Sequence, residues 1–185
     1  MRLVILDRDG VINADSDSYI KSPDEWQPLP GSLEAIALLN DAGFTVAVAS
    51  NQSGLARGLF DIDMLNRIHH LMISRAAAVG ARIDAIAFCP HGPDDHCACR
   101  KPRPGLLLAL GRRFGVAMPD TAVIGDSLRD LRAAAEAGAR PILVRTGNGA
   151  ATASALPAEL AGTPVLDDLC CAAQALIRGP LPAQQ

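Results

Sequence analysis

Aromatic side chains are scarce in this chain of 185 residues, with one Trp, one Tyr and four Phe making 3% of the total. Few rings are left on which bases could stack, and no basic excess stands in for them. Lys and Arg number 17 against 20 Asp and Glu, for a net charge of -3 and a pI near 5.7. A nucleic-acid surface needs a positive face and stacking platforms, so a small-molecule partner is expected instead. Long hydrophobic runs are missing too. No stretch reaches the roughly 18 uninterrupted apolar residues of a membrane span, and the apolar run before Asp7 is too short for a secretory leader, so a cytoplasmic protein with no membrane partner is expected. There is no internal repeat. Low complexity is confined to the Ala-rich stretch around Gly149 to Ala161, expected to be a surface connection, and to the Pro/Gln tail after Gly179, expected to fray. Cysteines number five, an odd count that does not suit a disulfide framework. The length fits one domain, residues 1–185, with enough chain to bury a core.

What is present starts at the first strand. The run Leu3-Val4-Ile5-Leu6-Asp7-Arg8-Asp9-Gly10 drives apolar residues straight into two carboxylates. Side chains alternate along a strand, so Asp7 and Asp9 point to the same side, where like charges repel unless a metal or a phosphoryl group sits between them. Alone, the motif also reads as an Asp-rich turn closing a strand. Further strand-like runs lie at Phe44 to Ala49, Ile83 to Phe88, Ala122 to Ile124 and Ile142 to Val144. Helical patterns fall between them, from Pro30-Gly31 to Asn40, Asp61 to Val79, Leu106 to Phe114 and Leu128 to Ala137, with a last one from Asp168 to Ile177. Alternation of this kind predicts an α/β fold: a doubly wound, Rossmann-like parallel sheet with helices on both faces. Ligands of such sheets bind beyond the carboxyl ends of the strands. Asp7, Asp9, Ser50 and Asp126 all fall there. Cys170 and Cys171, adjacent in the last helix, project in different directions and read as packing residues.

The other three cysteines are clustered. Cys89-x-His91 followed by Cys97-x-Cys99 supplies three thiols and an imidazole, the number and type of donors that close a tetrahedral zinc site. The spacing is not the common CxxC knuckle, and free thiols on a loop are the alternative. With four protein ligands and no open position, zinc here is expected to be structural, ordering a loop over about 89–99 that has little apolar content of its own. His96 is a rival ligand.

Four segments in order carry a resemblance: Asp7-Arg8-Asp9-Gly10, Ser50-Asn51-Gln52, Arg100-Lys101-Pro102, and Gly125-Asp126-Ser127 with Asp130. Together they resemble the haloacid dehalogenase superfamily of aspartate-nucleophile phosphatases. The stretches through Val11-Ile12-Asn13, Ser53-Gly54 with Arg57-Gly58, and Cys89-Pro90-His91 to Cys99 are similar to its heptose-bisphosphate phosphatase branch. Histidinol-phosphate phosphatase domains share most of them. The likeness runs from Met1 to about Gly149; His96 lies outside the family pattern of zinc ligands.

The resemblance implies a phosphatase that takes the 7-phosphate from a heptose 1,7-bisphosphate through an aspartyl phosphate, on the way to nucleotide-activated heptose and lipopolysaccharide precursors. Asp7 would be the nucleophile and Asp9 the general acid and base. Magnesium would be held by Asp7, Asp126 and the Asp9 backbone carbonyl, with Ser50 and Lys101 on the phosphoryl oxygens. Asn51, Gln52, Ser53 and Arg100 are expected to bind substrate as well, and Asp130 to support Lys101. The interval Asn13 to Trp26, where many relatives insert a cap domain, is only a short loop here, so selection falls to Asp15, Tyr19 and Arg57. Each has a plainer reading: a turn acid, a packing ring and a surface charge. Ser127 departs from relatives that often carry Lys there. A monomer acting on a phosphorylated sugar is expected, with histidinol phosphate as the alternative substrate. A zinc-stabilised binding module without catalysis is the alternative of another class, although Asp7, Asp9 and Asp126 are all retained.

Overall fold

The computed structural model describes residues 1–179. Six parallel strands form one sheet: β1 (Arg2–Leu6), β2 (Phe44–Asn51), β3 (Ala85–Cys89), β4 (Ala122–Gly125), β5 (Arg140–Val144) and β6 (Val165–Leu166). Their spatial order is β3-β2-β1-β4-β5-β6, so the chain reverses its direction of travel at β1. That switch point lies between β1 and β4, where a crevice opens beyond the strand ends.

Two apolar layers flank the sheet. Val4, Leu6, Val46 and Val48 face α1 (Ser32–Asp41), α2 (Ile62–Ala78) and α6 (Leu169–Arg178) through Ile36, Leu39, Ile68, Met72 and Leu176. On the other face Leu3, Ile5, Ala47 and Ala49 meet Leu106, Leu107 and Leu110 of α3 (Gly105–Phe114) and Ala133 and Ala134 of α4 (Leu128–Ala137). Burial on both faces is why the strands read as continuous apolar runs without alternation. Local signals set the helix ends. The Asp61 carboxylate accepts from the Met64 amide at 2.8 Å to start α2, and glycines at 115 and 138, both left-handed, end α3 and α4. No helix among the described residues is long and apolar enough to cross a membrane.

Three features differ from the sequence reading. The strand expected over Ile83 to Phe88 runs Ala85–Cys89, which carries Cys89 into the sheet opposite Asn51. The edge strand β6 is two residues long, too short to leave a periodicity. The Ala-rich stretch expected as a surface connection instead forms α5 (Gly149–Ser154) and a 3-10 turn (Ala158–Leu160), with Thr152 and Leu160 buried. Alanine is the strongest helix former, so compositional monotony there reflects helix rather than slack chain. The Pro/Gln tail after Gly179 lies outside the described residues.

Candidate active site and metal centres

Asp7 follows β1 directly and stands at the centre of the crevice. Its Oδ1 accepts from the Arg8 amide at 2.7 Å and lies 2.9 Å from the Lys101 ammonium, so Oδ2 is the oxygen left for an incoming group. Lys101 arrives from the segment before α3 and is almost wholly buried. Its ammonium donates to the Ala49 carbonyl at 2.7 Å and pairs with Asp7 at 2.9 Å and Asp130 at 2.6 Å. Burial works against the Lys101 charge, but Asp130 and Asp7 outweigh it and hold the ammonium above the usual lysine range. A direct contact with phosphate therefore has to displace one of these three partners. Asp130 also caps α4. Its Oδ2 accepts from the Ser127 hydroxyl at 2.5 Å and the Ser127 amide at 3.1 Å. A side chain on Gly125 would run into Asp130, so the glycine lets this buried pair form against β4.

Asp126 closes β4. Its Oδ2 accepts from the Asn148 amide at 2.8 Å and from the Asn148 side chain at 3.3 Å, and burial pushes its pKa up to about 6. Gly10, with φ of +80°, passes so close that any side chain there would strike this carboxylate. Asp7, Asp126 and Asp130 bring carboxylate oxygens within 4.8 Å of one another. Burial and then the Asp130 charge hold the Asp7 carboxyl well above its usual range, despite Lys101. Oxygen-only donors crowded in this way, with anionic repulsion to relieve, fit a hard dication such as magnesium. The Asp9 carboxylate is not part of this group; the third carboxylate is Asp130.

Asp9 turns instead to Arg8. The guanidinium forks onto it through Nε and Nη2, each at 3.0 Å, while Asn13 donates at 2.8 Å and Gln52 at 3.1 Å. Gln52 also donates to the buried Ser50 hydroxyl at 2.8 Å, which leaves the Ser50 proton available to a ligand. Asn51 is committed to the protein: its side chain donates to the Lys101 carbonyl and accepts from the Lys101 amide, both at 3.0 Å. This two-bond clip fastens the Lys101 segment to the end of β2.

A cleft of about 400 Å³ continues outward, lined by Asp9, Asp15, Tyr19, Gln52, Ser53, Arg57, Arg100 and Arg129. Arg57 lies over the Tyr19 ring at 5.9 Å. Asp15 accepts from the Asn148 side chain at 2.8 Å, so it ties the short loop after β1 to the residue that holds Asp126. Arg100 donates to the His91 carbonyl at 3.2 Å.

Beside the cleft, Cys89, His91, Cys97 and Cys99 converge within 4.8 Å. Sulfur to sulfur distances of 3.3, 3.5 and 3.6 Å, and sulfur to Nδ1 distances of 3.4 and 3.5 Å, approach the edges of a tetrahedron. Thiolates about 2.3 Å from zinc sit about 3.8 Å apart. Burial pushes the Cys89 thiol up to about 12, so a metal that binds there has to displace its proton. The donor set fits zinc. His96 stays outside the cluster; Arg103 donates to its carbonyl and, at 2.9 Å, to that of Cys97.

Residues 98–172 match the HAD-hydrolase-like family model. The D-glycero-beta-D-manno-heptose-1,7-bisphosphate 7-phosphatase of Bordetella bronchiseptica is 56% identical over 96% of this chain and 99% of its own. That of Pseudomonas aeruginosa is 50% identical over 95% and 98%. The chain belongs to the heptose-bisphosphate phosphatases of the haloacid dehalogenase superfamily. A crystal structure of the Bordetella bronchiseptica D,D-heptose 1,7-bisphosphate phosphatase, complexed with magnesium and phosphate, superposes with a TM-score of 0.92 over 96% of this chain and 99% of that one. That of the Burkholderia thailandensis enzyme gives 0.75 at 49% identity, over 96% and 99%.

Several residues of this heptose-bisphosphate phosphatase site carried no sequence signal. Arg8 entered the sequence reading only as part of the Asp7-Arg8-Asp9-Gly10 run, with nothing to mark it as wholly buried. Asn148 and Arg129 enter through loops and helix starts whose approach to β1 depends on the whole sheet.

Proposed function

We propose that this chain, acting as one domain, is a magnesium-dependent phosphatase that removes the 7-phosphate of D-glycero-D-manno-heptose 1,7-bisphosphate and leaves heptose 1-phosphate. The observation that carries the reading is the Asp7 carboxylate, fixed through Oδ1 by Lys101 and the Arg8 amide with Oδ2 left over, two residues before the Asp9 that lines a cleft together with Arg57, Arg100 and Arg129. The names and coverage of the relatives support the substrate.

Asp7 Oδ2 attacks phosphorus, the bond from phosphorus to the carbon-7 oxygen breaks, and Asp9 gives that oxygen a proton. Water then attacks the aspartyl phosphate, Asp9 takes its proton, and the bond from phosphorus to the Asp7 oxygen breaks to release inorganic phosphate. Magnesium, held by Asp7 and Asp126, supplies neutralising charge for the meeting of a carboxylate with a phosphate dianion. Ser50 donates its hydroxyl proton to a phosphoryl oxygen. Lys101 keeps positive charge within 2.9 Å of the nucleophile and so favours an ionised Asp7. Arg100, anchored on the zinc loop, and Arg129 hold the remote phosphate, whose binding orients the reacting one.

The test is product analysis. With heptose 1,7-bisphosphate, phosphorus NMR should show loss of the carbon-7 signal and persistence of the carbon-1 signal, and kcat/KM should exceed that for histidinol phosphate by orders of magnitude. Arg100→Ala should lower kcat/KM for the bisphosphate by roughly 10- to 150-fold, the equivalent of one charge-assisted contact, and much less for a monophosphate. Preferential turnover of histidinol phosphate by the wild type would overturn the substrate and leave the chemistry standing.

A further inference from the structure

Arg8 is wholly buried, and two of its three guanidinium nitrogens are accounted for by the fork onto Asp9. The third, Nη1, is buried and has no hydrogen-bond partner among the described residues. On α2, His69 is buried as well, and its Nε2 is in the same position. Buried polar atoms are almost always satisfied, so two such atoms in one region ask for a common explanation.

Geometry and chemistry bring them together. Arg8 comes two residues after Leu6, and Val4 and Leu6 pack in the same layer as Ile68 and Met72, the neighbours of His69 on α2. Phe88 closes the imidazole from β3, with ring centroids 5.8 Å apart. Burial, with the Arg8 cation adding to it and the Asp9 carboxylate opposing, pushes His69 down to about 4, so the ring is neutral at ordinary pH. A neutral imidazole with its proton on Nδ1 presents Nε2 as an acceptor, the complement of an unused guanidinium N-H.

We infer that His69 is a positioning residue for catalysis: through one bridging water it accepts from Arg8 Nη1, and thereby locks the guanidinium whose opposite edge orients Asp9. The inference rests on the reading of Asp9 as the general acid. It extends the site by one layer, from the reacting carboxylate through Arg8 to the middle of a helix that contributes nothing else to it. His69 itself is not a catalytic residue, because it touches neither substrate nor reacting atoms.

A proton donor matters for a sugar alkoxide and hardly at all for p-nitrophenolate, so the leaving group separates positioning from general damage. With full-length, magnesium-loaded protein, His69→Phe should lower kcat/KM for heptose 1,7-bisphosphate by about 10-fold and for p-nitrophenyl phosphate by less than about 2-fold. His69→Gln, which restores an acceptor, should recover most of the loss. Equal losses on both substrates, or none, overturn the inference. Asp9→Asn is the control for the underlying reading. Its losses should be uneven in the same sense. Even losses there mean that the general-acid assignment fails, whereas uneven losses there with even losses in His69→Phe mean that only the role of His69 fails. A readout on the wild type does not depend on any variant folding: nitrogen NMR of the imidazole should show the Nδ1-H tautomer, and a proton on Nε2 would sink the proposal.

Discussion

At the scale of single residues, the site is a contest between carboxylates that repel and one lysine that holds them together. Asp7, Asp126 and Asp130 share a space under 5 Å across, and Lys101 is the buried cation in contact with two of them. Asp7→Asn is nearly isosteric but neither nucleophilic nor a good magnesium ligand, so turnover should vanish while melting and zinc content stay at wild-type values. More than a small fraction of activity in that variant refutes the covalent route. Lys101→Met removes the cation and leaves Asp7 and Asp130 buried without a counterion. Breaking a buried pair in this way typically costs about 3 to 5 kcal/mol, so chemical denaturation should show a loss of that order as well as inactivity. The Lys101→Met loss should shrink when Asp130→Asn is added, because the second change removes one of the two uncompensated charges.

At the scale of elements, the zinc cluster acts on chemistry through the chain it terminates. Cys99 is followed at once by Arg100 and Lys101, and Arg100 and Arg103 both bond back onto carbonyls of the same loop. Cys97→Ser should therefore lower the zinc content from about one per chain, and also raise KM for the bisphosphate, because Arg100 loses its footing. Metal-free protein with normal melting and full magnesium-dependent activity would refute the structural role. Much of this was readable from residues: strands that are apolar from end to end, acidic motifs placed after them, and four soft donors within one loop. What was not readable depends on long-range placement. Arg8 and His69 lie 61 positions apart, and only the shared layer of β1 and α2 makes the link inferred above possible. Asn148 reaches Asp126 across 22 positions, through a turn after β5. The helix from Gly149 leaves little trace in the sequence, because a run of alanines has no amphipathic stripe to mark it.

At the scale of the whole molecule, proton and metal binding are linked. Asp126, pushed up to about 6, carries a proton in mildly acidic solution when no cation is present. A carboxyl raised above its unfolded value contributes stability below the unfolded pKa and loses it as pH rises through the folded one. Metal-free protein should accordingly lose stability between about pH 4 and pH 6. Magnesium binds only the deprotonated form, so its stabilisation should grow over the same interval. Melting scans with and without magnesium should show a larger metal-induced rise in Tm at pH 7.5 than at pH 5. A shift independent of pH would mean that Asp126 does not hold the ion.

The loop after β1 is stitched down at several points: Asn13 to Asp9, Asp15 to Asn148, the Leu29 amide to the Ile12 carbonyl at 2.9 Å, and the Ser32 hydroxyl to the same carbonyl at 2.6 Å. Nothing in it resembles a hinge. Many enzymes that wrap their substrate are slowed by the friction of reopening, and their turnover then follows solvent viscosity. A rim fixed in place has no such step, so kcat should be unchanged as sucrose thickens the medium.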